Sequence, residues 1–158
     1  MIRMVVILAL GLLWLAMLDV AVLEWIYKPL IAAHKIKESE LEAGPGILYW
    51  HVAFIPFGLA LFAMFGLSAG DNRLAVAGII LFATGWEDMA YYLLLLQPLP
   101  SVLPWLNIVP TIAWTRFLTR TPDVTAAGLV AAALAGALLA VLLAYLITKK
   151  FRNCSRGA

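Results

Sequence analysis

Charge is scarce in this chain: 13% of its 158 residues are Asp, Glu, Lys or Arg, against about 25% in a typical soluble domain. That shortage excludes an ordinary water-soluble globule. With 65% hydrophobic residues and a mean hydropathy of +0.98, disorder is excluded too, since it needs the opposite balance. A single cysteine, Cys154, rules out an intramolecular disulfide and a metal site built from thiolates. Histidine is nearly absent, with only His34 and His51. The paired Glu-x-x-His motifs of di-iron bundles and the His-Glu-x-x-His zinc helix are both missing. Phosphate-cradling glycine loops are missing as well, and Ser39 and Ser101 fall in loops that give little support to nucleophilic catalysis. The net charge of +2 comes mostly from a short basic tail, Lys149-Lys150-Phe151-Arg152, so no nucleic-acid partner is expected.

What the chain does have is long apolar runs. Four of them cover 2–27, 47–68, 74–97 and 125–148, each near the roughly 20 residues that span a bilayer. In hydrocarbon every backbone N–H and C=O must be satisfied internally, and continuous runs without two-residue alternation do this as helices. The predicted fold is an all-α integral membrane protein: one domain over 1–158, a four-transmembrane-helix bundle, with a basic tail at 149–158. The first run exceeds the 7–15-residue core of a signal peptide and carries Asp19, so it is expected to be a helix of the bundle.

The connections differ in kind. Segment 28–46 carries Lys35, Lys37, Glu38, Glu40 and Glu42, a solvated face on which the His34 and Glu38 spacing has little weight as a metal clip. Gly70-Asp71-Asn72 makes a tight turn. Segment 98–124 holds Pro98, Pro100, Pro104 and Pro110, and the last two suit the first position of short helices. A structureless loop of that length is uncommon. The expectation is a surface or re-entrant helical segment between the third and fourth spans, lying as a lid over the interior. Four spans put both termini on one side. Arg3, Arg73, Lys149, Lys150, Arg152 and Arg156 then face Lys28, Lys35, Lys37, Arg116 and Arg120 across the membrane, a small excess that predicts cytoplasmic termini.

Ionisable groups inside a bilayer are costly and call for a reason. Five fall within the spans: Asp19, Glu24, His51, Glu87 and Asp88. At ~1.5 Å per residue, Asp19 lies roughly 25 Å along its helix from Arg3, and Glu87 lies roughly 20 Å along its own. His51 and Glu24 are near the far end of their spans, so all five share the membrane half away from the termini. Thr84, Glu87, Asp88 and Tyr91 follow the i, i+3, i+4, i+7 spacing of one helical face. Asp19 and Glu24 are about 140° apart around a helix, which makes Asp19 the inward member and sends Glu24 to an interface or the headgroup zone. Trp86 and Tyr91 are too near the carboxylates to serve only as an aromatic belt. On the fourth span Gly128, Ala132, Gly136, Ala140 and Ala144 repeat every four residues, a ridge for close internal packing or for an oligomer or larger complex.

Oxygen and imidazole donors suit zinc, iron or manganese. The candidate metal ligands are His51, Glu87, Asp88, Asp19 and Glu24. Without a metal, crowded carboxyls retain a proton and serve as acids, with His51 as base or shuttle. The expected site is Asp19, His51, Glu87 and Asp88, supported by Thr84, Trp86, Tyr91 and Arg116. Its expected function is that of a membrane-embedded enzyme, metal-dependent or acid–base, acting on a lipid or another apolar small molecule. The alternatives are a proton- or cation-coupled carrier or channel, which would need polar groups at several depths, and a non-catalytic subunit whose charges pair with another chain.

Overall fold

The computed structural model describes residues 2–33 and 45–154, with the side chains of Tyr27, Ile31, 45–52 and 150–154 outside that description. His34 and Glu38, read above as a metal clip of little weight on a solvated face, therefore lie outside the described residues, as does the charged stretch 35–42. The side chains of Lys150, Arg152 and Cys154 lie outside them too. Among the described residues every regular element is helical, apart from an isolated bridge between Val102 and Thr125.

Helix α1 is Ile2–Val22, an unbroken apolar run that continues through a π-helical turn, Leu23–Tyr27, into a short α2, Lys28–Ala32. Helix α3 is Pro45–Ala69, where Pro45 opens the helix at a position whose N–H needs no partner. The turn after it uses Gly70 at φ +60°. Asp71 then caps α4, Asn72–Ala83, by accepting from the Arg73 amide at 3.0 Å, while the Arg73 side chain returns to the same carboxylate at 2.7 Å. Pro104 and Pro110 each begin a short helix, as their fixed φ favours: a 3₁₀ turn at Pro104–Ile108 and α6 at Pro110–Ala113. Helix α7, Thr115–Thr119, precedes the long α8, Ala126–Cys154.

Among the described residues two helices are long and apolar enough to cross a membrane, Ile2–Leu30 and Ala126–Lys149. A third candidate is the pair formed by α4 and α5, Trp86–Leu94, which meet at a 68° bend. This bend corrects the expectation of a straight third span over 74–97. Thr84 caps α4 with its amide shared among the carbonyls behind it, and Gly85 takes φ +88°, a left-handed conformation that costs other residues about 1–2 kcal/mol. Met89 then restarts the ladder by donating to the Gly85 carbonyl at 3.1 Å.

Packing forms two apolar clusters. One joins Leu8, Leu12 and Leu15 of α1 to Phe62 of α3, Phe82 of α4 and Ala140 of α8, with the Phe62 and Phe82 rings 6.4 Å apart. The other joins segment 98–125 to α8 and is built from Leu103, Leu106, Ile112 and Val124 of the segment with Leu129 of α8, all nearly inaccessible. Asn107 staples this segment: its side-chain amide donates to Asp123 at 2.7 Å, and its oxygen accepts from the Val124 amide at 3.0 Å. The outer faces stay greasy. Leu138 is 74% exposed, Val141 71% and Leu67 77%, an apolar exterior that a water-soluble fold would bury.

The small-residue ridge of α8 is filled from within the chain. Gly128 lies against Thr115, Gly136 lies against Thr84, and Ala132 and Ala140 are 1% and 3% exposed. Four of the five ridge residues are thus packed within the chain, as α4 and α7 approach α8 where its side chains are smallest, while Ala144 stays half-buried and lines a cavity.

Candidate functional site

The bend at Gly85 decides which carboxylates meet. Had α4 continued straight, Thr84 would share a face with Glu87, Asp88 and Tyr91. Instead Thr84 turns toward Gly136 of α8, and its hydroxyl donates to the carbonyls of Ile80 and Leu81 in its own helix. The four-residue stripe over 84–91 is therefore two surfaces, because i, i+3, i+4 spacing holds only where the helix is continuous.

After the bend, α5 packs against α1 and brings Glu87 and Asp88 within Coulombic reach of Asp19, which lies three residues beyond the buried Ala16. Tyr91, one turn along α5, lies within reach of Asp19, Glu24 and Glu87. Tyr92 lies near Asp88 and Asp19 and stacks edge-on against Tyr91, ring centres 5.2 Å apart. Glu87 is 6% exposed, and its Oε1 has no hydrogen-bond partner among the described residues. A buried polar oxygen without a partner is uncommon in folded proteins and costs about 1–3 kcal/mol. Glu87 and Asp88 also occupy the first turn of α5, where unpaired backbone N–H groups favour negative charge.

The remaining expected members are placed differently. Glu24 sits in the π-helical turn and pairs with Lys28 at 2.5 Å, its side chain 38% exposed. Trp86 donates from Nε1 to the Ala133 carbonyl at 2.8 Å, which pins the start of α5 to α8. Arg116 donates to the carbonyls of Ala113 at 3.1 Å and Pro122 at 3.2 Å within its own segment. His51 belongs to α3, and its side chain lies outside the described residues. Among the described residues no three His, Cys, Asp or Glu side chains stand close enough to hold a metal ion. Segment 98–125 seats on the bend itself: Ile112 covers Gly85 together with Leu129 of α8, and the Thr111 hydroxyl donates to the Ala83 carbonyl.

One further pattern escaped the sequence reading. Gly66-Leu67-Ser68-Ala69-Gly70 spells the Gly-x-Ser-x-Gly of hydrolase nucleophile elbows. That motif works on a sharp strand-to-helix turn, whereas here it closes the helix α3, and no strand precedes it among the described residues. Ser68 is exposed there, and the neighbouring carboxylate, Asp71, is engaged with Arg73.

What the arrangement offers is a group of three carboxyls with Tyr91 beside it where α1 meets α5, next to a backbone break covered by a packed cap against which Tyr92 lies. No protein-family model, curated protein or solved structure matches the chain.

Proposed function

We propose that this is a four-span integral membrane protein, with α1, α3, the bent α4–α5 pair and α8 as its spans, whose Asp19–Glu87–Asp88 group performs acid–base chemistry on a lipid or another apolar molecule. The observation that carries this reading is the buried, unpartnered Oε1 of Glu87 beside two further carboxyls. Three carboxyls gathered in a medium of low dielectric do not all carry charge together, so the group holds a transferable proton. Glu87 is the proton carrier, Asp19 and Asp88 set its charge environment, and Tyr91 supplies a neighbouring hydroxyl. An apolar substrate enters sideways from the hydrocarbon and presents its polar group to Glu87. A metal-assisted form of the site, with zinc, iron or manganese, would need a ligand beyond Asp19, Glu87 and Asp88, and His51 is the candidate for it.

The protein reconstituted in nanodiscs with a total lipid extract in heavy water, followed by lipid mass spectrometry, tests this. Wild type is expected to convert, or to exchange deuterium into, one lipid class. Glu87→Gln and Asp19→Asn are expected to lose about 10²–10⁴-fold of that rate, the usual contribution of a general acid or base. A lipid pool unchanged by wild type, or converted equally by both variants, overturns the reading. Elemental analysis of the same samples separates the two forms: stoichiometric metal lost in His51→Ala and Glu87→Ala makes the chemistry metal-assisted.

A second reading draws on the bend. Half-helices that meet at a broken span are how many carriers present charged groups at mid-membrane. Proton-coupled transport needs polar groups at several depths, however, and α8 is apolar from Ala126 to Ile147 except for Tyr145. The acid–base reading therefore stands first.

A further inference from the structure

Away from the carboxylates, the structure holds a concave region between α1 and α8 on the side of the termini. A cavity of about 310 Å³ there is lined by apolar side chains, among them Leu8 and Leu12 of α1, Leu81 of α4, Ala137 and Ala140 of α8, and Trp86. Its floor is formed by alanines because larger residues at those places would fill it. A neighbouring cavity of about 600 Å³ includes Arg3, Asp71, Arg73, Tyr145 and Thr148. The two share Met4, Val5 and Val141, so they form one groove, greasy at the Trp86 end and charged at its mouth. From Arg3 to Leu12 the groove follows roughly 13 Å of helix.

The mouth is electrostatically one-sided. It holds two guanidinium groups and one carboxylate. Arg73 is fixed by Asp71 and by donating from Nη1 to the Thr148 hydroxyl at 3.2 Å. Arg3 makes no ion pair among the described residues. A net positive mouth joined to an apolar trough of ligand-like volume matches a molecule with one anionic head and a long hydrocarbon tail.

We propose that this groove is a binding site for an anionic phospholipid, its phosphate at Arg3 and Arg73 and one acyl chain lying over Ala137 and Ala140 toward Trp86. Arg3 supplies selection for the headgroup, and the alanine floor selects the chain. Occupancy joins α1, α4 and α8 at the end where the chain's own packing leaves a gap. The site uses neither Glu87 nor Asp19, so it stands independently of the acid–base reading.

Native mass spectrometry of the delipidated full chain, titrated with phosphatidylglycerol or with phosphatidylcholine, tests it. Wild type is expected to retain one phosphatidylglycerol about tenfold more tightly than phosphatidylcholine. Arg3→Gln is expected to erase that preference, the loss of one charge-assisted contact. Ala137→Leu fills the groove and is expected to abolish retention of both lipids. Ala9→Leu, at an exposed position on the groove's edge, does the same with little burden on folding. Glu87→Gln is expected to bind as wild type does. Equal retention of the two lipids by wild type, or undiminished retention by folded Ala9→Leu, overturns the proposal.

Discussion

Two carboxylates show how differently the same chemical group is settled in this chain. Asp71 lies in a turn, outside the apolar helices, and takes two hydrogen bonds from the Arg73 guanidinium and one from its amide. These contacts hold its carboxyl below the usual aspartate range, with the Arg73 side-chain bond as the largest cause. A carboxyl whose folded pKa is depressed stabilises the fold above its unfolded pKa of about 3.9 and loses that contribution as pH falls through the folded value. The difference in thermal midpoint between wild type and Asp71→Asn is therefore expected to be constant near neutrality and to shrink below about pH 4. Thermal scans across that range check it. Glu87, by contrast, has an oxygen with no partner among the described residues. That Asp19, Glu87 and Asp88 are candidates was legible in the sequence, because charges in apolar runs are rare. The pairing of Glu24 with Lys28 is a four-residue spacing that was equally visible. The placement of Arg116 was not, since its carbonyl partners are created by the folding of its own loop.

At the scale of elements, the decisive feature is a break that helical periodicity cannot register. Thr84 to Tyr91 reads as one amphipathic face, yet Gly85 at φ +88° splits it, so that Thr84 serves the contact with α8 and Glu87 serves the contact with α1. A lone glycine in an apolar run is common in membrane helices, and no local cue marks this one as a bend. Its neighbours do: Ile112 and Leu129 crowd the place where a Cβ would stand. Gly85→Ala is thus expected to destabilise through both backbone strain and overlap, by about 2–4 kcal/mol in total. Gly70→Ala, at φ +60° with open space around it, is expected to carry the strain alone, about 1 kcal/mol. Unfolding of the two variants in mixed micelles gives the comparison, and equal losses would show that the close packing on Gly85 contributes nothing. The short helices after Pro104 and Pro110 were legible, because proline's fixed φ and missing N–H act locally.

For the molecule as a whole, the start of α1, the turn at 70–73 and the end of α8 gather at one end, where Arg3, Arg73 and Thr148 line the same cavity. In a four-span arrangement these points face one side of the membrane and the loop after α5 faces the other. In a Cys154→Ser background, Asn72→Cys and Lys149→Cys are expected to react with an impermeant maleimide from one side only, and Ser101→Cys from the opposite side. Labelling of intact spheroplasts against opened ones checks this, and Asn72→Cys and Ser101→Cys reacting from the same side would break the four-span reading. Composition and run length by themselves determined an apolar, helical chain, because backbone satisfaction in hydrocarbon depends on nothing but local sequence. They also supplied the turn chemistry and the set of carboxylates from which a site could be drawn. Which of those carboxylates meet, which face of α8 is covered, and where a groove remains open were decided only by tertiary structure. Each depends on the direction the chain takes after Gly85 and on which helix closes against the small residues of α8, and both are set by contacts between residues far apart in the sequence.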